Sequence, residues 1–83
     1  MTNSQERRYK NVLIHTARHL LFDLGDSRAE AIEKIEWLVV CRMTKRPHSE
    51  WTDIAAMVEE CAVEVKPLAL EAVLRAEKAG PLQ

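Results

Sequence analysis

The sequence predicts an all-α protein, a small three-helix bundle, and three observations predict it. Apolar residues recur at steps of three and four along most of the chain, the period of one helix face. Ser27-Arg28-Ala29-Glu30 has the spacing of a capping box, a helix-start signature. Two glycines and three prolines in 83 residues are too few for the many turns of an all-β chain. The expected arrangement is one helical domain over residues 1–83. It consists of an antiparallel hairpin followed by a long third helix, kinked or split at Pro67.

The first helix is expected from about Ser4 to Leu24. Thr2 with Gln5 fits a capping-box spacing, and Ser4 is an alternative N-cap. Gly25 suits the position after the last turn because it accepts the left-handed conformation. Tyr9, Leu13, Ala17, Leu20 and Leu24 make the central stripe. Phe22 points away from it, onto the face that carries Asn11, His15 and Arg18. The second helix is expected from Arg28 to Thr44, with Ile32, Ile35, Leu38, Val39 and Met43 inward. Trp37, Val40 and Cys41 fall on other sides, so its C-terminal half is apolar nearly all round and calls for cover on more than one side. The short Gly25-Asp26 link makes the two helices antiparallel neighbours.

Lys45-Arg46-Pro47-His48 interrupts the pattern, because Pro47 disfavours helical geometry at Arg46. Ser49 is then a suitable N-cap, with Glu50 and Asp53 at the positive end of the next helix dipole. From Trp51 to Ala79, the residues Ile54, Val58, Cys61, Val65, Leu68, Ala72 and Ala76 keep one helical phase straight through Pro67. Proline inside a helix costs about 3 kcal/mol, whereas at a first turn its missing N–H costs nothing. A kinked continuous helix is favoured by the unbroken phase. Gly80-Pro81 ends it.

Composition limits the function classes. A chain this short buries only about 60% of the surface its unfolded form exposes, and small domains often recover stability by oligomerising. The net charge of −1 gives no global bias toward nucleic acid or a membrane surface. No apolar run approaches the roughly 18 residues of a membrane span, and the polar start MTNSQERRYK lacks the apolar core of a secretory signal. A cytoplasmic location is expected. Cys41 and Cys61 have no CxxC spacing and are expected as free thiols.

Residues that carry chemistry are sparse. His15 and His19, four apart, share a helix face, but a zinc site needs three or four ligands. Cys41 with His48 lacks an orienting third group and an oxyanion site. Glu59, Glu60 and Glu64 lie on a polar helix side. No enzyme activity, metal or cofactor is expected.

The charges are more informative. Arg7, Arg8 and Lys10 open the first helix, while Arg42, Lys45 and Arg46 close the second. An antiparallel hairpin brings these ends into one basic pole, partly offset by Glu6, Glu50 and Asp53. That pole suits a phosphate or an acidic protein surface.

The tract Ile54-Ala55, then Val63, Val65, Leu70, Leu74 and Ala79-Gly80-Pro81-Leu82 resembles the helix-turn-helix half of winged-helix DNA-binding domains. The resemblance covers about thirty residues and implies a small transcriptional regulator as the alternative function. The sequence departs from that pattern. No glycine marks a turn between Val58 and Val65, and no wing is expected where the sequence ends at Gln83. The segment from Pro67 to Lys78 offers Leu, Ala and Glu where base readers want Arg, Asn or Gln. Nucleic acid is the disfavoured partner.

A second series in the third helix, Val63, Pro67, Leu70 and Leu74, lies opposite the first. Two back-to-back stripes exceed what one hairpin covers, so Val63, Leu70 and Leu74 are the expected self-association residues. Phe22 and Trp37 are expected as exposed aromatics for a partner. The sequence therefore reads as a non-enzymatic interaction module, homodimeric, acting as inhibitor or adaptor of a larger protein. The comparison with small inhibitors of phages and mobile elements rests on size alone.

Overall fold

The computed structural model describes residues 2–45 and 51–81, with side chains described over 4–45 and 55–81. Four α-helices account for nearly all of these residues: α1 (Thr2–Arg18), α2 (Arg28–Thr44), α3 (Trp51–Glu60) and α4 (Ala62–Ala79). One π-helical turn, His19–Asp23, continues α1. The fold is all-α.

Local chemistry sets the helix ends. Leu24 N–H donates to the His19 carbonyl at 3.1 Å and Asp26 N–H to the Leu20 carbonyl at 2.9 Å, closing the π turn. Gly25 then takes a φ of 73°, which a side chain would strain. α2 begins as expected. The Glu30 N–H donates to Ser27 Oγ at 3.1 Å, and the Ser27 N–H to Glu30 Oε1 at 3.0 Å. The Ser27 N–H, and after it the Ser27 hydroxyl, hold the Glu30 carboxyl below its ordinary pKa. α2 ends on Lys45 at φ 58°, a left-handed cap that is not glycine. The Thr2 cap, Arg46, Pro47, His48, Ser49, Glu50, Leu82 and the side chains of Asp53 and Ile54 lie outside what is described.

The third helical segment differs from expectation. The chain breaks at Cys61, not at Pro67, and Pro67 lies inside α4. Cys61 has φ −103° and ψ 18°, in the sparsely populated bridge region. Its carbonyl accepts from both Glu64 N–H at 3.0 Å and Val65 N–H at 2.9 Å, which starts α4 tightly. Pro67 cannot donate to the Val63 carbonyl, but Val63 is 86% exposed, so the residue left short of a donor is open to water. The break lets α3 lie along α2 while α4 takes its own direction.

α4 is packed against both α1 and α2, which touch each other less. Lys10, Leu13 and Ile14 of α1 share a crevice with Leu68, Glu71 and Ala72, and Arg18 reaches past the end of α4. α1 and α4 therefore run parallel. α2 runs antiparallel to both: Arg42, near its end, meets Tyr9, and Arg28, at its start, meets Glu77. The core combines Leu13, Ala17 and Leu20 with Ala31, Ile35, Val39 and Val40. Met57 and Val58 join them from α3, and Val65, Ala69, Ala72, Val73 and Ala76 from α4.

Polar ties fix α4 along its length. Arg18 donates through Nε to the Gly80 carbonyl and through Nη2 to the Pro81 carbonyl, both at 2.8 Å. Arg28 Nε meets Glu77 Oε1 at 2.9 Å. Lys66 Nζ meets Glu36 Oε2 at 3.4 Å, and Glu36 is 9% exposed, the one buried charged residue among those described.

Candidate interaction surface

α4 divides into two faces. One buries Val65, Ala69, Ala72, Val73 and Ala76 between α1 and α2. The other carries Val63, Pro67, Leu70 and Leu74, which follow one another at steps of four, three and four on the solvent side. Leu70 and Leu74 are each 44% exposed. Along the α1 side this stripe is bordered by Glu64, Glu71 and Lys78; along the α2 side, by Lys66 and Glu77. Glu71 forms an ion pair with Arg75 at 3.3 Å, one turn on.

The basic residues divide between two crevices. Arg8 and Arg42 share one with Gln5, Tyr9 and Val12, between α1 and the end of α2. The Arg42 guanidinium stacks on the Tyr9 ring, 3.7 Å from its centroid, a cation–π contact. Tyr9 Oη is buried with no hydrogen-bond partner among the described residues, and burial pushes its pKa up against the nearby Arg42 charge. Arg7 and Lys10 lie on the other flank of α1, in a crevice with Glu6, Asn11, Ile14, Glu71 and Arg75. The two helix ends do meet, yet α1 turns its cations to both sides. Lys45 is exposed at the end of α2.

Three apolar residues sit elsewhere than expected. Trp37 packs against the core instead of standing exposed, because α2 is covered by α4 and also touched by α1 and α3. Leu24 and Met43 were expected inward and are exposed. For Leu24 the reason is the π turn, whose wider winding carries the end of the stripe off the core. Met43 lies in the last turn of α2, just before its left-handed cap. Phe22 is partly exposed, as expected.

Cys41 and Cys61 are free thiols, both half-buried, and burial raises the Cys41 pKa. His19 Nδ1 and Asp23 Oδ2 lie 2.7 Å apart across the π turn. Among the described residues no three His, Cys, Asp or Glu side chains could hold a metal ion. None of the described helices is long and apolar enough to cross a membrane.

No family model matches the chain. No curated protein and no solved structure matches it either.

Sequence reasoning missed the Glu36–Lys66 pair and the Arg18 clamp. Glu36 had a signal: it stands four residues after Ile32 and four before Val40, in the apolar phase. An acid at such a position needs a cation within reach. Arg18 had none, since its acceptors are backbone carbonyls more than sixty positions away.

Proposed function

We propose that this chain is a non-enzymatic protein-interaction module that works as a homodimer and acts as inhibitor or adaptor of a larger protein. One observation supports this most directly. The outward face of α4 keeps Val63, Pro67, Leu70 and Leu74 in contact with solvent after α1 and α2 have packed against the opposite face. Large side chains left in one continuous stripe gain free energy, about 25 cal/mol per Å², when a partner covers them. Arg8 and Arg42, with Lys45 beyond them, are the proposed contacts for an acidic surface on the larger partner.

The test is static light scattering on the wild type and on Leu70→Glu with Leu74→Glu. The expected result is a dimer that becomes a soluble, helical monomer. A wild-type mass near 9.5 kDa at working concentration would overturn the dimer. Capture of a partner should persist with the monomeric variant and weaken with Arg8→Glu and Arg42→Glu if the basic crevice makes that contact. A shift of mixed duplex DNA that collapses steeply with added salt would instead support a nucleic-acid binder.

A further inference from the structure

Resting on the homodimer reading, we propose how the two copies meet: the outward stripes of α4 pair in parallel and in register, with Lys66 of each copy facing Glu71 of the other. The steps of four, three and four from Val63 to Leu74 make a short heptad seam, in which Val63 and Leu70 hold one core position and Pro67 and Leu74 the other. The next residue in that phase, Glu77, is tied to Arg28 at 2.9 Å, so the seam stops at Leu74.

Charge selects among the ways two such seams can meet. In a parallel pair the residue just before the Pro67 or Leu74 position faces the residue five further along the other copy. Lys66 then meets Glu71 twice, by symmetry, and no like charges oppose. An antiparallel pair that sets Val63 against Leu74 brings Glu64 against Glu71 twice. An antiparallel pair shifted to set Leu70 against Leu74 brings Glu71 against its own copy, although it also sets Glu64 against Lys78 twice. It also leaves Val63, the most exposed large apolar residue among those described, facing the chain beyond the end of the helix. Only the parallel pair covers Val63 and matches the charges. Lys66 has the capacity: its ammonium carries three donors, its side chain is half exposed, and its Glu36 and Glu59 partners lie at 3.4 and 3.9 Å.

The test uses the full chain carrying Cys41→Ala and Cys61→Ala, first shown to be helical and dimeric by circular dichroism and light scattering. Val63→Cys, Leu70→Cys and Leu74→Cys are each added singly and oxidised in a glutathione buffer. Every one of the three should form a disulfide with its own copy, because like seam positions face each other. Disulfides that form only in mixtures, Val63→Cys with Leu74→Cys or Leu70→Cys with Leu74→Cys, would overturn the parallel arrangement. Glu71→Lys gives an independent readout. It should weaken the dimer about fivefold at low salt, less at high salt, whereas unchanged or tighter association would count for an antiparallel pair. A monomeric starting protein removes the homodimer itself; a dimer without same-position disulfides removes only this geometry.

Discussion

On α4 the alanines at 69, 72 and 76 are inside, while the leucines at 70 and 74 stand outside. The inward face holds three alanines and two valines, each nearly or wholly buried. The outward face holds Val63, Pro67, Leu70 and Leu74, and all four are exposed. The difference follows from where α4 lies. A helix wedged between two others must let both approach closely, and interaxial distance is set by the side chains at the contact. Ala69, Ala72 and Ala76 allow that approach, while α1 and α2 supply the bulk through Leu13, Leu20, Ile35, Val39 and Val40. A leucine at position 69 would push against packing that is already dense. Where α4 comes closest to its neighbours its residues are small, and Leu68, at the border toward α1, is only partly buried. Leu70 and Leu74 are only partly covered within one chain, which is why the proposed dimer contact is placed on their stripe.

The contrast can be broken most forcefully at neighbouring positions. Ala69→Leu should destabilise the fold by about 1–3 kcal/mol through overpacking, lowering Tm by roughly 4–24 °C. Leu70→Ala, one residue on, should leave Tm within a few degrees at concentrations where the chain is monomeric. Thermal melts followed by circular dichroism decide it, and equal losses at both sites would erase the distinction between the faces.

Lys66 lies at the border of the two faces. Lys66→Ala should cost about 1–2 kcal/mol in urea denaturation, since it leaves the Glu36 carboxylate buried without its cation. Adding Glu36→Leu should recover most of that loss, because an apolar side chain there needs no partner.

A change remote from both faces calibrates the others. Ser27→Ala should cost about 1 kcal/mol by removing the cap of α2. Glu30 has its pKa lowered in the fold by the same cap, so its contribution is present above the ordinary glutamate range and is lost as pH falls through the lowered value. Acid denaturation of Ser27→Ala should show only a slightly weaker pH dependence in that window than the wild type, because the backbone N–H at position 27, the larger cause, remains.

The smallest expected effect is at the far end of the outward stripe. Val63→Ser should change the stability of the isolated subunit by less than about 0.5 kcal/mol, because the side chain has little packing to lose. Its consequence should appear in association, read by light scattering over a dilution series.

Much of the local structure was legible. The capping box, the bounds Arg28–Thr44 and the left-handed Gly25 all rest on interactions within a few residues, so the sequence carries them directly. The exposure of Val63, Leu70 and Leu74 also followed from helical phase. The break at Cys61 was not legible, because neither glycine nor proline marks it and the proline six residues on stays within the helix. Trp37 was misplaced because periodicity assigns one inward face to a helix, whereas α2 has neighbours on several sides.

The sequence by itself determined that this chain is helical, where α2 begins and ends, and that one later stretch carries two apolar faces. These are properties of hydrogen bonds and spacings that span no more than a few turns. Only the tertiary structure decided that α4 would be the wedge between α1 and α2, and that Glu36 and Arg18 would find partners far along the chain. Those outcomes depend on how closely three helices can approach once packed together, a distance that no single helix encodes.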